Sequence, residues 1–208
     1  MTSILSENSK MQHTNEVNED FKFMDFGISA RITCSQAGEC ARYCYATRNR
    51  YKFSSVMNAM EYRMQLTFQP FFFELMNQTI REEVWKLHGR KKLVIRIHSS
   101  GDFGYQGNDR PEYFDTWVKI ARANPNVIFY TYTKCVKMVK DYTKVYSIPE
   151  NFSITFSWGG KQDSYIEPDD KQARVIIMKG EEIEDGWVDA TGNDMIPILY
   201  KKVALPYH

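Results

Sequence analysis

Three cysteines, Cys34, Cys40 and Cys44, fall within eleven residues in the run TCSQAGECARYCYA, while the fourth, Cys135, stands far from them. Clustered thiols suit metal binding or redox chemistry better than disulfides in a chain with no secretory features. Three thiolates on one loop can each take one iron of a cubane cluster, leaving the fourth iron to a ligand from elsewhere. Gly38 lies between the first two cysteines and can adopt positive φ without steric cost, as a loop folding round a cluster often demands. Zinc is the competing metal. It usually takes four protein ligands from close pairs, and here Cys40-x3-Cys44 is one pair with no second. Three unconnected, reduced cysteines are the remaining alternative.

A second group follows an apolar run. The string RIHSSGDF puts His98, Ser99, Ser100, Gly101 and Asp102 just past the C-terminal end of a strand, where parallel α/β barrels assemble their active sites. His98 is the natural proton carrier or ligand there, and Asp102 is placed to orient it or to bind substrate. The plainer reading is a structural turn in which Asp102 accepts loop amides. Lys134 and Cys135 end the next strand at the same rim, and alternation sends them to opposite faces. Tyr130 and Tyr132 share the Lys134 face, so Lys134 is the one expected to point inward, as a point charge for a carboxylate or phosphate. Cys135 becomes a fourth iron ligand only if the strand has already ended.

The run Arg42, Tyr43, Tyr45, Arg48, Arg50, Tyr51, Lys52 interleaves cations with aromatics. Such a strip can grip a nucleic-acid backbone and stack bases. It can equally compensate an anionic cluster or form a solvated face. The duller readings are favoured because 27 Lys and Arg against 26 Asp and Glu leave the chain without a global positive field.

These residues need elements to hold them. FKFMDFGISA reads as a first strand leading into the cysteine loop. Val56, Met57, Met60 and Met64 have helical spacing from about Ser54 to Leu66, and a second helix is expected from Pro70 to Leu87. KLVIRIH is a strand, PEYFDTWVKIARA (111–123) a helix, VIFYTYT a strand, and KCVKMVKDY a helix. FSITFSW, ARVIIMK and KKVALPY are later strands. This alternation predicts an α/β fold with a largely parallel sheet and helices outside.

Three of the strands alternate rather than running continuously apolar. Leu93, Ile95 and Ile97 oppose Val94, Arg96 and His98; Val127, Phe129, Thr131 and Thr133 oppose Tyr130, Tyr132 and Lys134; Phe152, Ile154 and Phe156 oppose Ser153, Thr155 and Ser157. A strand covered by helices on both faces should be nearly all apolar. A partial barrel with a wet interior explains the pattern, and so does a sheet with one solvent-facing side. At 208 residues, 43% hydrophobic, the chain suits a single domain over 21–208 with residues 1–20 as a flexible or peripheral arm. No stretch reaches the roughly 20 apolar residues of a membrane helix, and the N-terminus lacks a signal-peptide pattern. A soluble protein of a cytoplasm, without membrane partners, is expected.

The cysteine loop, RIHSSGDF, YTYTK and the closing VALPYH together resemble the phage gene-product-88 family over residues 23–208. A more distant resemblance runs to radical-SAM-like iron–sulfur proteins whose cysteine triad ends in CYA. These resemblances imply a [4Fe-4S] cluster on Cys34, Cys40 and Cys44, a partial (β/α) barrel, and the cytoplasm of a bacterial host. They also imply S-adenosylmethionine as a second cofactor, with Tyr43 in the position that contacts adenine. Three departures count against S-adenosylmethionine or a second cluster. The usual triad is C-x3-C-x2-C, shorter at both gaps. SSGDF stands where Gly-Gly-Glu would take the methionine amine. ATGNDMIPILYKK carries none of the further cysteines that family members often have. The expected function is cluster binding with redox or radical chemistry in a polar cavity near His98, Asp102 and Lys134. The alternative is a zinc- or cluster-stapled module that binds nucleic acid or a host protein without catalysis.

Overall fold

The computed structural model describes residues 4–176 and 183–206. Nine strands are present among them: β1 Phe21–Phe26, β2 Lys92–Ile97, β3 Gly104–Tyr105, β4 Asn108–Asp109, β5 Ile128–Thr133, β6 Phe152–Ser157, β7 Gln172–Ile176, β8 Val188–Asp189 and β9 Lys202–Pro206. The helices are α1 Ser9–Val17, α2 Ser54–Leu66, α3 Phe72–Lys86, α4 Pro111–Ala123, α5 Val136–Thr143 and the single turn α6 Ile196–Leu199. Seven strands form one all-parallel sheet in the order β1-β2-β5-β6-β7-β9-β8, curled into a half-barrel, and β3 and β4 form a separate small hairpin. The expected partial (β/α) barrel is the observed fold.

Strand alternation builds the two faces. Leu93, Ile95, Ile97, Phe129, Phe152 and Phe156 enter the main core with α2 to α5. Helix α4 shows why its sequence is a helix: Pro111 occupies the first turn, and Tyr113, Phe114, Trp117, Val118, Ile120 and Ala121 fall on one buried stripe. Trp117 is fully buried, with its ring centroid 5.2 Å from Phe26 and 5.7 Å from Phe72. Each such side chain contributes about 2–3 kcal/mol by leaving water.

The inner face is layered. Phe23, Val94 and Tyr130 pack with Met11 of α1 in a smaller apolar cluster. The parallel register aligns Asp25, Arg96, Tyr130 and Ser153 across four strands, so that Tyr130 joins this polar row to the apolar cluster. The polar strand faces therefore look into the half-barrel.

The element boundaries largely follow the sequence pattern. Pro70 sits in the turn before α3 rather than inside the helix, and Phe72 is buried while Phe71 is half-exposed. The segment read as an N-terminal arm carries α1, and Met11 is completely buried against the inner face. Asn8 caps this helix by accepting a hydrogen bond from the Met11 amide at 3.0 Å. The ARVIIMK and KKVALPY strands appear as β7 and β9; residues 177–179 and 207 of those runs, and 208 of the VALPYH ending, lie outside the described residues. No described helix is long and apolar enough to cross a membrane.

Candidate functional site at the cysteine loop

The chain leaves β1 and crosses the C-terminal ends of the sheet strands before α2 begins. It is held there by its own turn and by two other loops. Thr33 donates from Oγ1 to the Ser29 carbonyl at 2.7 Å, and its own carbonyl accepts from the Gly104 amide at 3.0 Å. Ser35 and Gln36 both donate to the Asp109 carboxylate, the latter at 2.8 Å. The amides of Gly38 and Cys40 both donate to the Gly159 carbonyl at 3.2 Å.

Gly159 and Gly160 follow β6, and sequence reading did not single them out. Both amides donate to Asp163 at 2.9 Å, which fixes this turn beneath the cysteine loop. Gly159 has φ +90°, and a Cβ there would stand 3.1 Å from the Tyr43 hydroxyl and 3.5 Å from Cys40 Cβ. A glycine is required by conformation first and by crowding second. A Cβ on Gly38 would meet the Gly159 carbonyl oxygen at 2.9 Å, so its role is close backbone approach, with φ at −111°.

Cys34, Cys40 and Cys44 are all half-buried on this rim. Burial, then the Asp102 carboxylate, then the Cys44 and Cys40 thiols push the Cys34 thiol up to about 12. Burial also raises Cys40, and the Lys134 ammonium opposes that rise. The three thiols thus stand within electrostatic reach of one another, with Asp102 and Lys134 beside them. Among the described residues no three His, Cys, Asp or Glu side chains are drawn together as ligands of a single metal ion.

Asp102 ties the rim together. Its carboxylate accepts from Thr133 Oγ1 at 2.6 Å and from the amides of Phe103 and Lys134 at 2.8 and 2.9 Å. Burial raises its pKa, and these three donors work against that rise. Lys134 points inward, as alternation requires, and donates from Nζ to Ser157 Oγ at 2.6 Å.

His98 does not join them. Its φ of +63° ends the alternation of β2 and turns the side chain out of the polar interior. The ring packs against Phe103 at 4.4 Å between centroids, and Nε2 shares a 2.9 Å hydrogen bond with the Tyr113 hydroxyl. Burial, helped by the Arg110 cation, lowers its pKa to about 3. A neutral histidine sealed among aromatics is a packing residue, which corrects the expectation that His98 carries protons in the cavity. Cys135 also turns away, into the main core, with Sγ 3.6 Å from Ser35 Oγ.

A family model described as Gene product 88 matches residues 3–205. The chain belongs to this phage gene product 88 family. No curated protein and no solved structure matches the chain. The match supports the gene-product-88 resemblance and gives none to the radical-SAM one.

Within this family member, Tyr43 lies with its hydroxyl near Gly159, at the edge of the loop. Tyr45 was read only as part of the basic strip, yet its hydroxyl donates to the Ser99 carbonyl and its ring packs edge-on to Tyr51 at 5.6 Å. Ser99 in turn donates to Asp25, which also accepts from Ser6 at 3.0 Å. Below them, Tyr130 donates to Asp194 at 2.9 Å, and Asp194 is fully buried. The polar alternation of β2 and β5 signalled this interior; Asp194 gave no such signal. Arg42, Arg48, Arg50 and Lys52 are exposed beside the loop, together with Phe53, which is 61% exposed. A cleft of about 840 Å³ opens at the other end of the strands, lined by Lys92, Arg122, Phe152 and Lys171, with Ser153, the register partner of Tyr130, on its wall.

Proposed function

We propose that the chain is an iron–sulfur protein whose Cys34, Cys40 and Cys44 hold a [4Fe-4S] cluster at the C-terminal rim of the half-barrel. The observation that carries this reading is the placement of three half-buried cysteines on one loop stitched over the strand ends, while Cys135 is turned into the core. The donor set fits such a group: three thiolates serve three irons, and the corners of a cube hold ligands farther apart than one ion does. A bound cluster would supply electron transfer, with one iron left for an exogenous ligand.

The chain's own residues have definable parts. Lys134 places a cation beside Cys40, offsetting the negative charge of bound thiolates. Asp102 fixes the β5 end from which Lys134 projects. Gly159 supplies the carbonyl on which the Cys40 amide is hung. S-adenosylmethionine would bring its adenine to Tyr43, although no Gly-Gly-Glu segment is present to take its amine. Electron transfer or redox chemistry on another ligand is therefore the favoured use.

Anaerobic purification and reconstitution, followed by iron and acid-labile sulfide analysis, tests the reading. About four of each per chain is expected, with loss in Cys40→Ala. Less than about one iron per chain would overturn it, and a stoichiometric zinc content would favour a structural staple.

The exposed cations and Phe53 favour a second reading, in which the same stapled loop contacts single-stranded nucleic acid. Binding that weakens with salt and is lost in the double variant Arg48→Ala, Arg50→Ala supports it. Salt-independent or absent binding removes it.

A further inference from the structure

Deep in the half-barrel, three polar atoms are buried with no hydrogen-bond partner among the described residues: Arg96 Nε, Tyr132 Oη and Asp194 Oδ2. They are neighbours. The Arg96 guanidinium lies over the Tyr132 ring at 5.2 Å, and its Nη1 is 3.9 Å from Asp194 Oδ1, beyond hydrogen-bond reach. Asp194 does not depend on Arg96 for charge balance, because Lys10 stands 3.4 Å away and Tyr130 donates to the same oxygen. The Arg96 side chain is only 15% exposed. A guanidinium cannot escape its cost by losing a proton. A buried guanidinium N–H without a partner costs free energy, so Arg96 Nε calls for an acceptor that the described residues do not supply.

The surroundings say what that reason is. Arg96 stands in the register row between Asp25 and Tyr130, on the inner face below the cysteine loop. Tyr45, which comes from that loop, donates to the Ser99 carbonyl, and Ser99 donates to Asp25 beside Arg96, so the loop roofs the interior that holds the cation. Asp25, the carboxylate aligned with Arg96, is instead occupied by Ser99 and Ser6. The planar fork of a guanidinium matches a carboxylate or a phosphate, and a tyrosine hydroxyl can donate to the same oxyanion.

We propose that Arg96 and Tyr132 form the recognition site for the oxyanion group of a small ligand bound inside the half-barrel. The ligand enters beneath the cysteine loop, presents a carboxylate or phosphate to Arg96, and accepts a further hydrogen bond from Tyr132. Asp194 Oδ2 is then free to take a donor on the same molecule. This assignment goes beyond the cluster reading and does not need iron for its test.

The test titrates the purified full chain with inorganic phosphate and, separately, with malonate, following heat of binding and thermal midpoint. One saturable site per chain is expected for at least one probe, and the better probe names the oxyanion class. Arg96→Lys keeps the charge but loses the fork, and should weaken that binding about tenfold or more. Tyr132→Phe removes a hydroxyl that has no hydrogen-bond partner among the described residues. It should leave the melting temperature of the ligand-free chain unchanged and weaken binding about three- to tenfold. If Arg96→Lys fails to fold, Tyr132→Phe decides alone. Absence of saturable binding by both probes up to about 10 mM, which is weaker than about −3 kcal/mol of affinity, overturns the proposal. So does equal binding in wild type and in each folded variant. An iron-free preparation gives the same readout, so failure here and failure of the cluster reading are separate results.

Discussion

The placement of His98 makes a quantitative demand on how stability varies with pH. The ring is 3% exposed and stays neutral down to about pH 3, whereas the ordinary value is 6.5. Because the folded value lies below the unfolded one, the unfolded chain binds the proton first as pH falls. The neutral state's contribution is therefore intact above about pH 7 and is lost progressively below the unfolded value, down to about pH 3. Each decade of proton activity in this window is worth about 1.4 kcal/mol, so about 2 kcal/mol should disappear between about pH 7 and about pH 5. His98→Asn removes the titrating group and suits the left-handed backbone, since Asn tolerates positive φ. The variant loses ring packing and is less stable throughout, so the comparison rests on slope. Urea unfolding of both proteins at the two pH values measures it. Wild type should lose about 2 kcal/mol more than the variant between them. Equal losses would mean that His98 titrates normally in the folded chain, and the assignment of a packing role would fail.

Other expectations follow from single contacts. Asp102→Ala orphans the Thr133 hydroxyl and the amides of Phe103 and Lys134; at about 1–3 kcal/mol for each group, a loss of about 3–9 kcal/mol is expected in chemical denaturation. Gly104→Ala would press a Cβ onto the Ser35 side chain, with the Thr33 carbonyl 2.9 Å away. It should cost about 1–3 kcal/mol and reduce iron loading, which thermal melts and metal analysis together would detect. Cys135→Ala should keep the iron content of wild type, because its thiol faces Ser35 in the core; a drop matching that of Cys40→Ala would make it a ligand.

The half-barrel was legible because period-2 alternation is a direct consequence of strand geometry. Lys134, Tyr130 and Tyr132 fall inward and Phe129 and Phe152 outward as their positions require. His98 was misplaced by the same rule, because one left-handed residue resets alternation and a histidine does not announce positive φ. Helix α1 was hidden by its composition: only Met11 and Thr14 are buried, too few to make an apolar stripe. Asn8 as its cap was the available signal. Asp194 and the Gly159–Gly160 turn belong to the site through tertiary contact alone, and local sequence carries no record of such partners.

Mössbauer spectroscopy of the chain reconstituted with isotopically enriched iron tests the central claim most directly. The proposed ligation by Cys34, Cys40 and Cys44, with Cys135 held in the core, predicts a cubane in which one iron differs from the other three. That distinct iron should shift when a small ligand is added. A spectrum with no cluster signal, or one with four equivalent thiolate-bound irons, would contradict the account.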